Sequence, residues 1–301
     1  MRDPRQTLTY LRTLFEERGI RPKNKLGQNF LIDLNVLDVM VQAAGLDQSD
    51  LVVEVGSGTG SLTARLADAA GGVLSVEIDS AFFALASEIL EERDNVVLLH
   101  ADALRNKNEI NPELFDQAEQ LRQRRGCTRI KLVANLPYVV AVPVISNFLL
   151  SELPLERLLV MLQWELAARL LARPGSRDYG ALSVLVQSLT EMEVVRNRLP
   201  PAVFWPRPQV ASAILLIQPR ADKRAHVAAV AGSVQRFRSF LRELYVHRRK
   251  NLRGALGSLP SGRRPRAEVD RTLAVLHLDG TLRAETLDSE QHLRLCAAFG
   301  Q

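Results

Sequence analysis

The sequence predicts a doubly wound, mostly parallel α/β sheet followed by a small helical module. Three observations carry this reading. Five short apolar runs, Leu51–Val55, Gly72–Glu77, Val96–His100, Ile130–Ala134 and Leu158–Leu162, alternate with helical patterns, as strands buried on both faces do. The first run leads straight into the Gly-rich turn Gly56-Ser-Gly58-Thr-Gly60. After Pro219 the strand pattern stops, and Phe237, Phe240, Leu241 and Leu244 recur at helical spacing.

Taken in order, residues 3–18 read as a helix. Asp3 is its expected cap, Pro4 suits its first turn, Gln6 completes a capping-box spacing, and Gly19 stops it. Residues 21–28 form a basic, extended link. A second helix is expected over Leu34–Ala44, with Val36, Leu37, Met40 and Val41 periodic and Gly45 as stop. Within the alternating region, helices are expected around Leu62–Ala69 and Ala81–Glu91. Glu193–Arg198 and Ala211–Ile217 read as two closing strands joined through the Pro-rich stretch Pro200–Pro208. The remainder is expected to be helical, with no strand.

Composition narrows the class. The chain has 301 residues, 47% of them hydrophobic, enough for one sizeable core and a smaller module. No apolar run reaches the ~18–20 residues of a membrane span, and the N-terminus shows no apolar signal core. Cys127 and Cys296 have no pairing pattern and read as reduced thiols, and no His/Cys spacing suggests a metal. Charge is uneven. From Arg220 onward there are 16 Lys/Arg against 8 Asp/Glu, a surplus of eight, whereas the whole chain carries only +5, leaving the first 219 residues at −3. Seven basic and no acidic residues lie between Leu244 and Arg266. Such a module fits either a polyanionic partner or a merely solvated face.

The Gly-rich turn lets backbone approach a ligand closely, but Ser61 stands where a dinucleotide fingerprint has its third glycine. Two acids sharpen the expectation. Glu77 ends the second run, 21 residues after Gly56, where a carboxylate can accept from two ribose hydroxyls. Asp102 follows the third, placed to accept from an adenine amino group. At the C-terminal ends of consecutive strands they line one crevice, and they favour a ligand bearing a sulfonium over one bearing a pyrophosphate.

After the fourth run comes Asn135-Leu136-Pro137-Tyr138. The exocyclic amine of adenine is a poor nucleophile because its lone pair is delocalised into the ring. Acceptors on its two N–H bonds, the Asn135 side-chain oxygen and the Leu136 carbonyl, would pull the nitrogen towards sp³. Pro137 stiffens the loop, and Tyr138 offers a ring to an extruded base. Phe204 is a candidate second aromatic wall or a buried structural aromatic.

With Gly27-Gln-Asn-Phe-Leu31, Glu54-Val-Gly-Ser-Gly-Thr-Gly60, Val76-Glu-Ile-Asp79, Asp102-Ala-Leu104, Gln163-Trp-Glu165, Asp178-Tyr-Gly-Ala-Leu-Ser-Val184, Phe204-Trp-Pro-Arg-Pro208 and Arg248-Arg-Lys-Asn-Leu-Arg253 in order, the chain resembles the ribosomal RNA adenine N6,N6-dimethyltransferase family. The resemblance runs from about Lys23 to the C-terminus and is strongest to the branch that dimethylates two adjacent adenines near the 3′ end of 16S rRNA. It implies a Rossmann-like, seven-stranded class I methyltransferase sheet over residues 23–219, an N-terminal extension over 1–22, and an all-helical domain over 220–301 that engages the small ribosomal subunit. S-adenosylmethionine would be the cofactor, with Asn29 and Leu31 at its methionine end, Gly56 beneath it, Glu77 on the ribose and Asp102 on the adenine. Asn135 would touch both cofactor and target, and Arg248, Arg249, Lys250 and Arg253 would meet phosphates. A cytoplasmic monomer without metal is expected. The chain departs from the pattern at Ser57, Ala101, Val139-Val-Ala141, Trp164 and Gly254. Alternatives are a 23S rRNA adenine methylase of the macrolide-resistance type, a DNA adenine methylase, a non-catalytic ribosome assembly factor and, most remote, a nicotinamide oxidoreductase.

Overall fold

The computed structural model describes residues 7–301. Internal contacts divide the chain into two compact units, one of Met1–Trp164 and Glu193–Gln218, the other of Glu165–Met192 and Pro219–Gln301. The sequence reading instead divided the chain into 1–22, 23–219 and 220–301. Residues 165–192 group with the C-terminal helices because the helix Ala181–Leu189 packs against three of them.

The sheet strands are β1 (Asp50–Val55), β2 (Gly72–Glu77), β3 (Val96–His100), β4 (Arg129–Asn135), β5 (Leu155–Gln163), β6 (Thr190–Leu199) and β7 (Ser212–Pro219), in the order β3-β2-β1-β4-β5-β7-β6. β1 to β5 are parallel neighbours. β7 returns antiparallel to β5, with Ser212 opposite Gln163. Every residue of β1 and β2 is buried, as the uninterrupted apolar runs require. The order reverses between β1 and β4, and the crevice beyond the carboxyl ends of strands at such a switch point is where ligands bind.

The helices are α1 (Leu8–Arg18), α2 (Leu34–Ala44), α3 (Ser61–Ala69), α4 (Ser80–Leu90), α5 (Pro112–Arg125), α6 (Ala141–Leu150), α7 (Trp164–Leu170), α8 (Ala181–Leu189), α9 (Ala221–Ala231), α10 (Val234–Val246), α11 (Leu252–Leu256), α12 (Arg266–Val275) and α13 (Ser289–Phe299). Val36, Leu37 and Met40 of α2 and Leu62 and Leu66 of α3 pack with Val52, Val73, Val133 and Leu159 into one core on a single face of the sheet. α10 buries Phe237, Phe240, Leu241 and Leu244, the residues its periodicity marked, and packs with α8, α9 and α13.

Two expectations are corrected, and one pairing is new. The described part of α1 begins at Leu8, where the Thr7 hydroxyl accepts from Tyr10 N, and the expected cap Asp3 lies outside the described residues. Phe30–Leu31 and Phe204–Trp205 pair as a two-residue antiparallel ribbon that no periodicity could reveal. The C-terminal region is not wholly helical, since Ser258–Leu259 pairs with Gly262–Arg263 across the tight turn Pro260-Ser261.

At the amino ends of β1 and β4 a buried ion network fastens the sheet. The Lys131 ammonium, 1% exposed, donates to Asp50 Oδ2 at 2.9 Å and to the Gly45 carbonyl at 2.7 Å. Arg129 Nε donates to Asp50 Oδ1 at 2.7 Å. Burial opposes ionisation of Asp50, but hydrogen bonds from Arg129, Lys131 and the Asp47 N–H outweigh it and hold the carboxyl below its ordinary value. A folded-state value below the unfolded one makes the stabilisation complete above the ordinary carboxylate range. It is lost as pH falls through the depressed value. Asp50→Ala would strand the buried Lys131 and should cost about 3–5 kcal/mol in urea denaturation at pH 7, with a smaller difference from the parent in acid. A loss under about 1 kcal/mol at pH 7 would remove this network from the account of stability.

Candidate active site

Beyond the carboxyl ends of β1, β2 and β4 lies a cavity of about 220 Å³. The Gly-rich turn forms its floor. Gly56 and Gly58 have φ of +87° and +55°, a region L-residues rarely adopt. A Cβ on Gly58 would stand 3.1 Å from the Phe30 ring, and one on Gly56 3.4 Å from the Pro137 ring. The turn is thus pressed between the 29–31 segment and the loop after β4, leaving backbone to face the cavity.

The Glu77 carboxylate organises this floor. Its Oε2 accepts from Gly58 N at 2.9 Å and its Oε1 from Asp79 N at 2.9 Å. Burial raises its pKa, and those two N–H donors work against the rise. Asp102, at the end of β3, is exposed, lines the cavity, and turns the chain by accepting Leu104 N on Oδ1 at 2.9 Å. Asn29 and Leu31 line the same cavity from the N-terminal segment. The crevice therefore holds a carboxylate at the end of β2, another at the end of β3, and a glycine cradle. This donor and acceptor set fits a nucleoside with a flexible charged tail.

The tetrapeptide after β4 closes one wall. Asn135 Nδ2 donates to the Asn29 carbonyl at 3.2 Å, so its side-chain oxygen, without a partner among the described residues, is left as an acceptor beside the cavity. Leu136 N is held by the Met161 carbonyl of β5 at 3.0 Å. Tyr138, half-buried, has its hydroxyl 2.8 Å from Ser212 Oγ at the start of β7, and burial raises its pKa. Asn29, Leu31, Gly56, Glu77, Asp102, Asn135, Leu136, Pro137 and Tyr138 are all brought together here.

Phe204 is not. It is 1% exposed and packs in the core with Leu31, Leu37 and Val203, so the structural alternative is the one found. Sequence reasoning also missed Glu54, quoted only within the glycine motif. It is 1% exposed, accepts from the Thr63 and Ser75 hydroxyls, and is pushed by burial up to about 7. An acid inside the apolar run Leu51–Val55 was the available signal. Trp164, which departs from the resembled pattern, has the Arg198 guanidinium 5.1 Å above its ring.

In the second unit the four basic candidates separate. Arg248 is tied to Glu285 at 2.8 Å and to the carbonyls of Arg177 and Tyr179, and Arg253 is paired with Asp270. Both serve the fold of the unit. Lys250 is exposed and, among the described residues, its ammonium reaches only Ser258 Oγ, at 3.2 Å. Arg249 is exposed, with no partner among the described residues.

The chain matches the family described as Ribosomal RNA adenine dimethylase over residues 19–295. It is 39% identical to the Ribosomal RNA small subunit methyltransferase A of Pelotomaculum thermopropionicum, covering 96% of this chain and 95% of the relative. Among solved structures, a dimethyladenosine transferase from Plasmodium falciparum superposes with a TM-score of 0.69 at 22% identity, over 88% of this chain and 95% of that one. The 23S rRNA methyltransferase ErmE gives 0.59 at 26% identity, over 90% and 99%.

Gly58→Ala should cost about 1–3 kcal/mol through its positive φ and the approach to Phe30. It should also weaken S-adenosylhomocysteine in calorimetric titration. Unchanged stability and affinity together would show that the turn does not shape this site.

Proposed function

The chain belongs to the ribosomal RNA adenine dimethylase family, and from that premise we propose that it dimethylates N6 of two adjacent adenosines near the 3′ end of small-subunit rRNA. The observation that carries this reading is the orientation of Asn135, whose amide nitrogen is spent on the Asn29 carbonyl while its oxygen faces the cavity wall as an acceptor. S-adenosylmethionine, when bound, supplies a methyl group activated by its sulfonium. Glu77 would take the ribose hydroxyls, Asp102 the adenine amino group, and Asn29 and Leu31 the methionine end. Gly56 would lie beneath.

Asn135 Oδ1 and the Leu136 carbonyl would accept the two N–H bonds of the target amine, drawing its lone pair out of the ring. Asn is neutral, so no proton need leave before attack. Pro137 stiffens this acceptor pair, and the Tyr138 ring, pinned through its hydroxyl to Ser212, offers a stacking surface to a base taken out of its helix. The same acceptors serve a second transfer, since a monomethylated amine keeps one N–H. The exposed Val139 at the rim of this pocket is 67% accessible and offers only apolar contact to RNA. We assign RNA contact in the second unit to Arg249 and Lys250, with the small subunit in the cytoplasm as the partner.

Two measurements test this. Labelled S-adenosylmethionine, with undermethylated small subunits and large-subunit RNA in parallel, should yield dimethyladenosine in small-subunit RNA alone. Product in large-subunit RNA would move the chain to the 23S branch. Cofactor binding without product would favour an assembly factor. Asn135→Ala should abolish transfer while RNA binding persists, and equal loss of both would remove its chemical role. Separately, Arg249→Ala with Lys250→Ala should weaken binding to small subunits and lower the salt slope by roughly 2. An unchanged slope would refute that contact.

A further inference from the structure

The segment that lines the cavity from the N-terminal side is fastened by one ammonium. Lys23 Nζ lies 2.8 Å from Asp79 Oδ2, with the lysine side chain 58% exposed and the aspartate side chain 1%. Gln28 Nε2 donates to the same oxygen at 3.1 Å, and Gln28 Oε1 accepts Lys23 N at 2.6 Å, so the strap 23–28 is closed on itself around Asp79. The other Asp79 oxygen caps α4 through Ala81 N at 3.0 Å. The Asp79 N–H is one of the two donors that hold Glu77.

Asp79 therefore sits in a bind. It must be buried to aim its N–H at Glu77 and to cap α4, yet its charge stands two residues from the Glu77 carboxylate and opposes ionisation there. A buried carboxylate next to a second one is tolerated only when a cation answers it. Among the described residues, Lys23 is the cation paired with Asp79. Lys25 to Leu31, immediately downstream, all line the cavity.

We propose that Lys23 is a positioning residue for the cofactor: through Asp79 it holds the Glu77 carboxylate in place for the ribose, and it latches the 25–31 strap over the site. This inference rests on the assignment of Glu77 to the ribose. Lys23 touches no reacting atom, so its loss acts on affinity. The second observation is directional: Asp79 Oδ2 collects both the Lys23 and the Gln28 donors, so the latch and the charge balance meet at one atom.

The test is calorimetric titration of S-adenosylhomocysteine into the full chain and five variants, with steady-state methyl transfer alongside. Lys23→Met should weaken binding by roughly five- to twentyfold and raise KM for S-adenosylmethionine in step, with kcat within about twofold. Lys23→Arg should restore most of the affinity. In an Asp79→Asn background, which keeps the helix cap, Lys23→Met should add nothing further. Additive losses in the double variant, or a fall in kcat with KM unchanged, would overturn the proposal. Glu77→Gln separates it from its foundation. If that variant binds as tightly as the parent, the ribose assignment itself fails. If it weakens binding while Lys23→Met does not, only the latch fails.

Discussion

One carboxylate holds the site in register. Glu77 accepts a backbone N–H from the turn after β1 on one oxygen and a backbone N–H from the turn after β2 on the other. Two loops that would otherwise move independently are cross-linked beyond the carboxyl ends of the neighbouring strands β1 and β2. The left-handed backbone at Gly58 is part of the same constraint, because only that conformation turns its N–H towards Glu77. Burial raises the cost of charge on this group, and the donors that offset the cost also fix its direction. Cofactor geometry and loop geometry are consequently a single property.

The basic surplus of the C-terminal region resolves into two populations. Arg248 and Arg253 are held by Glu285 and Asp270 and by nearby carbonyls, and their charge is spent within the unit. Arg249 and Lys250 project outward between them. A charge count over the sequence sees four equal cations. Geometry shows two that build a surface and two that form it.

How much was legible follows from the length over which each signal is written. Six of the seven sheet strands announce themselves through apolar runs and α10 through a repeat extending over several turns, whereas the largely polar β6 was marked only as a closing strand over Glu193–Arg198. The cavity residues announce themselves because Asn135 to Tyr138 and the Glu77 and Asp102 positions are fixed to strand ends. Lost to inspection were features set by pairing of distant short pieces. Phe30–Leu31 has no periodicity to read, and in its partner ribbon Phe204 left open an aromatic wall or a buried aromatic, because the same residue would appear whether it faced a ligand or a core. Nothing in the sequence pairs Lys23 with Asp79, which the fold brings to 2.8 Å.

That small ribbon has a consequence in time. Residues 30 and 31 are completed as cavity wall only by residues 204 and 205, and β7, which anchors Tyr138, follows later still. A chain emerging from a ribosome can pair β1 with β2 and form its glycine turn early. It cannot finish the pocket until more than two-thirds of its length has been made. Ligand capture therefore waits on residues 204 and 205, and a nascent fragment ending before them would lack the ribbon partner of Phe30 and Leu31 and the Trp205 ring that packs against the Phe15, Phe30 and Phe82 cluster, leaving that apolar group short of one wall while translation continues.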